Sequence, residues 1–434
     1  MASVCAGCDG GPPVEPPPPE QEDELRTLAF EVDMAPFPIP AAVRPALVEL
    51  GRALSFDPIL SGNRDISCMT CHLPGEGTSD GVSLSIGQGG VGLARDRAHA
   101  EDRFIGRNSL PLFNLFALPN LFWDGRVELD GTTLKTPAGP LLTPAMLDVF
   151  EHGAISALGL FPVLSRAEMR GFDTTKNELA ATDDTTAVWA ALMQRVGAIP
   201  EYREMFEAAY PGTDFDAMTF AHASNAVGGF LIAELTFDDS PWDRFLRGDN
   251  DALAPDQREG AEVFMGPGRC FLCHRGAHLS LHQFHNTALA HIGPGSGHGP
   301  AGDEDFGRAG IVEDPLSLFK YAFRTPPLRN VTLTGPWGHV GQFADLRAFV
   351  DHYSEPERKL LEYDAAHVDP RLQATVRNGP ELLESLSSRL AGLVLDERQV
   401  DVLTVFLFAL TDPRAAALQG LAPARVPSGL PFDR

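Results

Sequence analysis

Apolar residues recur at helical spacing in two pairs of segments, one pair in each half of the chain. The segments are Pro45–Phe56 and Phe220–Leu235 in the first half, and residues 256–264 and 396–410 in the second. Apolar positions that repeat every three or four residues predict amphipathic or buried helices. Asp396 and Glu397 begin the last segment, and acidic residues favour helix N-termini. The matching order in the two halves predicts an internal repeat.

The first helix of each pair carries a small residue and an aromatic residue at matching positions. They are Gly51 with Phe56 in the first half, and Gly260 with Phe264 in the second. Signals for strands are sparse, and residues 293–302 contain too much glycine and proline to form regular structure. The chain is therefore predicted to be all-α, with two helical domains, long loops and few short strands.

The distribution of proline and acidic residues predicts a tether followed by two domains. Residues 1–24 combine a proline run with acidic residues, which predicts a disordered tether or the remnant of an export signal. A turn-rich stretch near residue 245 separates a domain at 25–245 from one at 246–434. Cys8 ends a stretch that resembles a lipoprotein signal, so we expect lipid anchoring through Cys8.

Charge and hydropathy narrow the classes of partner. The formal net charge is -25, which argues against binding to nucleic acid. A solvated acidic surface is the common reason for such a charge, so it identifies no partner by itself. No run of about 18 apolar residues occurs, and we therefore expect no transmembrane segment.

Four of the six cysteines fall into two copies of the pattern Cys-x-x-Cys-His. The copies are Cys68, Cys71 and His72, and then Cys270, Cys273 and His274. Two thiols at this spacing can bond both vinyl groups of one haem, and the adjacent imidazole can bind its iron. A zinc or redox site is the alternative for one isolated copy, but the repetition favours two covalently bound c-type haems. Bacteria attach such haems outside the cytoplasmic membrane, which predicts a periplasmic protein.

The sixth ligand of each iron decides between electron transfer and chemistry. The chain contains no methionine after Met265. The usual histidine and methionine ligation therefore cannot come from residues downstream of Cys270, and histidine and tyrosine remain as ligands there.

Further short motifs follow in a fixed order between residues 45 and 412. They are GRNSLP at 106–111, FWDGR at 122–126, the stretch from Pro-Val to Glu-Met at 162–169, TPPLRNV at 325–331 and PWGHVG at 336–341. In this order they resemble the bacterial di-haem cytochrome c peroxidases and their MauG-type relatives. Residues 159–171 resemble the MbnH-type branch of that family. The resemblance implies cytochrome c-like haem domains that hold two haems and one Ca²⁺.

The resemblance also implies that the N-terminal haem reacts with hydrogen peroxide. Many peroxidases of the family carry a loop histidine that blocks this iron, and Gln88 stands at that position here. An open or water-bound iron is implied, with ligation by His99 or His152 as the alternative. Glu168 matches the glutamate that moves a proton between the two peroxide oxygens. A solvated glutamate at a helix end is the alternative for Glu168.

Two further assignments concern the region between the haems. Trp123 matches a tryptophan that can relay electrons from one haem to the other, and a buried core tryptophan is the alternative. Asn108, Thr334 and Pro336 match the calcium ligands of the family, through one side-chain oxygen and two backbone oxygens. The resemblance therefore implies a shared electron route and a cation site between the two domains.

Tyr353 stands where the peroxidases have a methionine and MauG has a tyrosine. A phenolate stabilises ferric and higher iron, so the C-terminal haem would store oxidising equivalents. His352 and His339 are the competing ligands, and His339 also matches a histidine associated with electron passage near the haem edge. Arg126 and Arg329 lie within the matching motifs and are expected to bind the cofactors.

The function implied is that of a MauG-like enzyme, in which peroxide generates a high-valent bis-haem state that oxidises a residue on a partner protein. In the MbnH-type branch this residue is a tryptophan of a copper-binding protein, which becomes kynurenine. The alternative is a cytochrome c peroxidase that takes electrons from a small cytochrome or cupredoxin. A non-catalytic electron-transfer cytochrome is the third hypothesis. MauG has a tryptophan that relays electrons to the surface at the position of Gly268 in this chain. The resemblance therefore assigns no residue to the electron exit route here.

Four histidines follow the second motif at short intervals, namely His278, His282, His285 and His291. Such spacing can indicate a metal site. Because residues 284–287 resemble an ordinary loop of the family, we expect a surface loop instead.

Overall fold

The computed structural model describes residues 23–433, except Lys176, Pro315, Ser317 and Gln419. Its helices are α1 Glu24–Glu31, α2 Pro45–Phe56, α3 Cys68–Cys71, α4 Pro144–Leu147, α5 Thr185–Gly197, α6 Pro200–Ala209, α7 Phe220–Leu235, α8 Pro241–Leu246, α9 Pro255–Met265, α10 Leu346–His352, α11 Pro356–Leu361 and α12 Glu397–Ala409. Long loops with short 3₁₀ turns connect them. The predicted tether and Cys8 lie outside the described residues, apart from Asp23, which caps α1, and Glu24, which begins it.

In each half, the helix before the haem motif packs against a long apolar helix. α2 contacts α7, and α9 contacts α12. A Cβ on Gly51 would lie 2.0 Å from the carbonyl oxygen of Ala226, and a Cβ on Gly260 would lie 2.0 Å from that of Val402. Glycine alone permits so close an approach of two helix backbones. The four predicted helices are therefore present, and the two pairs repeat the same contact.

Two small antiparallel sheets accompany the helices in the described part of the chain. One contains β1 Asn120–Leu121, β2 Val127–Asp130 and β3 Thr133–Lys135, and the other contains β4 Phe284–His285 and β5 Phe323–Arg324. In the second sheet Phe284 pairs with Arg324. The fold is helical with few short strands, as predicted, but it is not purely α-helical. Strands of two to four residues are too short for alternation to reveal them in a sequence.

Two large apolar cores hold the two haem motifs. The first consists mainly of residues between 47 and 237, and the second mainly of residues between 242 and 410. Two segments pack in the core of the opposite half. Leu25 and Ala29 belong to the second core, whereas Leu421 and Val426 belong to the first. The domain boundary near residue 245 stays a prediction. The packing shows in addition that segments of each half join the core of the other half. None of the helices in the described residues is long and apolar enough to cross a bilayer.

Candidate functional site

Both Cys-x-x-Cys-His motifs form one helical turn that ends at the histidine. His72 Nδ1 lies 3.0 Å from the carbonyl oxygen of Thr78, and His274 Nδ1 lies 3.0 Å from that of Leu279. A hydrogen bond at Nδ1 orients the ring and leaves Nε2 as the nitrogen that can bind a metal. Burial lowers the pKa of both imidazoles. The neutral form, which a metal ligand requires, is therefore favoured in both turns.

None of the four cysteines of the two motifs forms a disulfide, so all four sulfurs are available to bond a cofactor. Burial raises the pKa of Cys68 to about 11 and that of Cys270 to about 12, and it also raises the pKa of Cys71 and Cys273. Within the described residues, no group of three or more His, Cys, Asp or Glu side chains could hold a metal ion. A zinc site of that kind is therefore not formed in this part of the chain.

A cavity beside the second motif gathers most of the residues predicted for the C-terminal haem. Its volume is about 230 Å³. The predicted residues that line it are Asn108, Trp123, Cys270, Cys273, His274, Arg329, Thr334, Pro336, His339 and Tyr353. Leucines from α10 and α12 supply apolar wall. An apolar cavity with two thiols and an imidazole at its edge fits a covalently held haem.

The candidate sixth ligands separate clearly in this cavity. Tyr353 and His339 line it, whereas His352 is not among its lining residues. The His352 side chain is buried and its Nε2 lies 2.9 Å from the carbonyl oxygen of Thr287. Burial raises the pKa of Tyr353, so its phenol keeps its proton unless a cation stabilises the phenolate. Tyr353 and His339 therefore remain as candidates.

Four arginines line the cavity, and two of them, Arg329 and Arg324, differ in whether their terminal nitrogens already have a partner. Arg329 is buried, and its Nη1 lies 2.5 Å from an oxygen of Asp243. Arg324 is also buried; its Nε donates to the carbonyl oxygen of Phe122 at 3.1 Å, but its Nη1 has no hydrogen-bond partner among the described residues. A buried guanidinium nitrogen without a partner is unfavourable unless an acceptor binds it, and a haem propionate is such an acceptor. Arg324, which directly precedes the motif at 325–331, is the residue that the sequence motifs missed.

Glu168 lies beside the first motif, on a π-helical turn that spans Arg166–Arg170. Short π-helical turns are frequent at functional sites. Burial raises the pKa of Glu168, although the nearby Arg126 opposes that rise. The carboxylate also contributes to the raised pKa of Cys68 and Cys71, which places it near both thiols. A carboxyl group with a raised pKa can accept and return a proton, and it differs from a fully solvated glutamate.

Gln88 reaches the Glu168 turn through its backbone. Its N–H donates to the carbonyl oxygen of Glu168 at 2.9 Å. Its side chain packs against Gly171, where a Cβ would lie 1.9 Å from Gln88 Oε1, and that buried oxygen has no hydrogen-bond partner among the residues that the structure describes. Gln88 Nε2 lies 3.5 Å from Asp65. The structure therefore joins Gln88 to the Glu168 segment but directs its side chain toward Gly171 and Asp65.

Trp123 connects a motif of the first half with a motif of the second. Its Nε1 donates to the carbonyl oxygen of Asn108 at 2.9 Å, and its ring meets that of His339 edge-on at 6.5 Å between centroids. The N–H of Asn108 donates to the carbonyl oxygen of His339 at 2.9 Å. Trp123 is thus buried on the wall of the C-terminal cavity. This position allows it to act both as a core residue and as an electron relay.

The predicted calcium ligands lie on the same wall. Asn108, Thr334 and Pro336 all line the C-terminal cavity. Asn108 Nδ2 donates to the carbonyl oxygens of Val82 and Ser83 at 2.9 and 3.2 Å, which fixes the orientation of its amide. Amide and backbone carbonyl oxygens are the hard donors that Ca²⁺ prefers. The donor types therefore fit a calcium ion, with water to complete its shell.

A buried ion-pair network crosses between the halves next to Trp123. Arg107 donates to both carboxylate oxygens of Asp305, at 2.6 and 2.8 Å, and to Asp124 at 2.5 Å. Arg126 pairs with Asp124 at 3.1 Å. Burial alone would raise the pKa of Asp305, but Arg107 holds it well below its usual range. The sequence offered no signal for Asp305, because its partner lies almost two hundred residues earlier.

The prediction of a surface loop for the four histidines after the second motif is wrong. His278 is 8% exposed and His291 is 5% exposed. His278 Nε2 lies 2.7 Å from the carbonyl oxygen of Phe116, and His285 lines the C-terminal cavity. Burial lowers the pKa of all four. His278 and His291 are therefore buried in the interior, His282 and His285 are half-buried, and the neutral form is favoured in all four.

The chain matches the model of the di-haem cytochrome c peroxidase family over residues 45–251. It is 30% identical over 405 residues to the methylamine utilization protein MauG of Paracoccus denitrificans. The aligned region covers 85% of this chain and 89% of the relative. It is also 30% identical over 299 residues to the cytochrome c551 peroxidase of Pseudomonas aeruginosa, and this aligned region covers 69% of each protein.

Solved structures show the same fold. A MauG-like protein associated with microbial copper homeostasis is similar with a TM-score of 0.61 and 23% identity, over 90% of this chain and 96% of the other. The di-haem peroxidase BthA from Burkholderia thailandensis has a TM-score of 0.57 and 19% identity, over 93% and 99%. The sequence relatives confirm the resemblance on which the site residues were predicted. The chain belongs to the di-haem cytochrome c peroxidase and MauG family of haem oxidoreductases.

Proposed function

We propose that this chain is a MauG-like enzyme that uses hydrogen peroxide to oxidise a tryptophan of a separate, copper-binding protein to kynurenine. The two haems, attached through the Cys-x-x-Cys-His motifs, supply the redox chemistry when bound. The observation that carries the proposal is that Tyr353, and no methionine, accompanies His274 among the described residues lining the C-terminal cavity. A hard phenolic oxygen favours oxidised iron more than a thioether sulfur does.

Different residues of the chain carry out proton transfer, electron transfer and cofactor binding. Glu168 accepts a proton from the bound peroxide and returns it to the leaving oxygen, which its raised pKa allows. Trp123 offers an aromatic route between the halves, because its ring contacts the His339 ring and its indole nitrogen is held by Asn108. Arg324 binds an anionic group of the cofactor through its unpaired Nη1.

The proposal extends to the cation, the compartment and the partner. Asn108, Thr334 and Pro336 bind one Ca²⁺ on the wall between the halves. The protein acts in the periplasm, with an anchor at Cys8. The copper-binding partner rests on the resemblance of residues 159–171, and the name of one structural neighbour, a MauG-like protein associated with microbial copper homeostasis, is consistent with it.

The deciding experiment adds peroxide to the fully oxidised protein without any reductant. We expect a change in the absorption spectrum that persists for minutes and decays when the partner protein is added. Mass spectrometry of the partner then identifies the oxidised tryptophan. No spectral change in the absence of reductant would refute the MauG-like reaction.

A cytochrome c peroxidase that takes electrons from a small cytochrome or cupredoxin is the second candidate. The 30% identity to the cytochrome c551 peroxidase of Pseudomonas aeruginosa favours it. In that case peroxide is consumed only after reduction, and a reduced donor protein sustains turnover. Comparing peroxide consumption with and without such a donor distinguishes the two candidates.

A further inference from the structure

The last residues of the chain form a strap across the N-terminal haem domain. We use the name C-terminal strap for residues 421–433. Leu421 and Val426 are buried in the first core, and the Phe432 ring meets the Phe56 ring edge-on at 6.3 Å between centroids. Ser428 donates twice to the buried carboxylate of Asp57, from its N–H at 3.1 Å and from its hydroxyl at 2.6 Å. The strap is therefore a fixed part of the N-terminal half.

The strap ends on the haem-attachment turn itself. Thr70, which stands between Cys68 and Cys71, donates its hydroxyl hydrogen to Asp433 Oδ2 at 2.6 Å. The same hydroxyl oxygen accepts the N–H of Ser67 at 3.0 Å, which caps the turn. Thr70 is only 1% exposed. Asp433 thus holds a buried residue that lies one position from Cys71 and two positions from Cys68.

The second motif has the opposite arrangement at the same position. Leu272 is the third residue of that motif, and its carbonyl oxygen accepts a hydrogen bond from Nη1 of Arg389. The third residue of the N-terminal motif therefore meets a carboxylate, whereas that of the C-terminal motif meets a guanidinium. A negative charge near a redox centre stabilises the oxidised form and lowers the reduction potential. A positive charge stabilises the reduced form and raises the potential.

We propose that Asp433 is a positioning residue of the N-terminal haem site. It fixes the turn through Thr70, and its negative charge lowers the reduction potential of the haem attached there. The inference rests on haem attachment at Cys68 and Cys71, which the proposed function shares. It is independent of peroxide, of the partner protein and of the identity of the sixth ligands.

Two substitutions separate the charge from the tether. Asp433→Asn removes the charge and keeps an oxygen that can accept from Thr70. Thr70→Val keeps the charge and the shape but removes the hydroxyl donor. Asp130→Asn is the matched control, because it removes one exposed carboxylate of the same half, on β2, from a pair with Lys135. All four proteins are prepared with both haems, and intact mass verifies two attached haems before any titration.

The measurement is a redox titration followed by absorption and by EPR at poised potentials. Tyr353→Met assigns the C-terminal signal, because Tyr353 lines that cavity. We expect Asp433→Asn to move the N-terminal potential to a more positive value and to leave the C-terminal potential in place. Thr70→Val should broaden the N-terminal signal and lower the melting temperature, since the turn loses its anchor.

Two results would overturn the proposal. One is an N-terminal potential in Asp433→Asn equal to that of the wild type and of Asp130→Asn. The other is an equal shift of both haems, which would indicate a general effect of net charge. A chain with no haem on Cys68 and Cys71 would remove both this proposal and the proposed function, and the intact mass detects that case separately.

Discussion

At the N-terminal motif, the Glu168 carboxylate contributes to the raised pKa of both thiols, and Asp433 binds the third residue of the motif. In the C-terminal turn, Tyr353 shares the cavity of the two thiols and Arg389 binds the third residue. The proximal sides are alike, because each histidine has its Nδ1 at 3.0 Å from a backbone carbonyl oxygen. The two turns therefore share the hydrogen bond at the histidine but differ in the side chains and charges around them.

This difference shows how one attachment motif can serve two tasks. The motif specifies covalent attachment and one axial ligand. The groups that we propose to decide reactivity come from segments far along the chain, a π-helical turn in one half and the end of α10 in the other. A repeated motif therefore predicts two cofactors, but it does not predict two equivalent cofactors.

The strongest test of the comparison is Glu168→Gln. General acid and base catalysis typically contributes about 10²–10⁴-fold to a rate, so we expect the reaction with peroxide to slow by about 100-fold or more. Stopped-flow absorption with peroxide in excess measures the rate. Glu204→Gln, at an exposed position on α6, is the control and should react normally. Wild-type kinetics in Glu168→Gln would show that the N-terminal site is not the reacting one.

The next largest effect is expected from Tyr353→Phe and Tyr353→Met. Loss of the phenolic oxygen should alter the low-spin spectrum of the C-terminal haem and shorten the lifetime of the peroxide-induced spectral change. Tyr363→Phe is the control, since the Tyr363 hydroxyl donates to the carbonyl oxygen of Gln342. An unchanged EPR spectrum in both Tyr353 variants would leave His339 as the candidate ligand.

The matching helix contacts give a test of the internal repeat. Gly51→Ala and Gly260→Ala each place a methyl group against a backbone carbonyl, so α2 must move from α7 and α9 from α12. Overpacking of this kind costs about 1–3 kcal/mol. Gly75→Ala is the control, because its Cβ would meet no atom within 4 Å. If calorimetry shows a lower free energy of unfolding for only one of the two variants, the two helix contacts are not equivalent.

The smallest effect is expected from pH. Glu168 must be ionised to accept a proton, and burial raises its pKa. The rate with peroxide should therefore fall as the pH drops through this raised pKa, at a higher pH than for an ordinary glutamate. Burial also raises the pKa of Asp80 to about 6, so Asp80→Asn is measured in parallel. If the fall disappears in Asp80→Asn and persists in Glu168→Gln, Asp80 controls the profile instead.

Several parts of the site could be predicted because their signals are local. The helices α2, α7, α9 and α12 follow from apolar spacing over ten or more residues. The thiols and imidazoles follow from a pattern five residues long. Glu168, Trp123 and Tyr353 were reached through matching motifs, and the structure places them beside the first motif or on the wall of the C-terminal cavity. Their chemical roles are the subject of the tests above.

Other parts could not be predicted, because they depend on contacts between distant segments. Arg324 and Asp305 are single charged residues whose surroundings come from other parts of the chain. His278 and His291 were assigned to the surface, but other segments bury them. Gln88 was predicted to leave the first iron open, which stays a prediction, and the contact of its side chain with Gly171 and Asp65 had no signal in the sequence.

By itself, the sequence determined that two haems are held by two similar helical units, because attachment and helix formation depend on neighbouring residues. Only the tertiary structure decided which side chains face each haem turn, and that each end of the chain joins the core of the opposite half. The physical reason is that burial and charge act through space. A carboxylate such as Asp433 affects Thr70 at 2.6 Å, although 363 positions separate them along the chain.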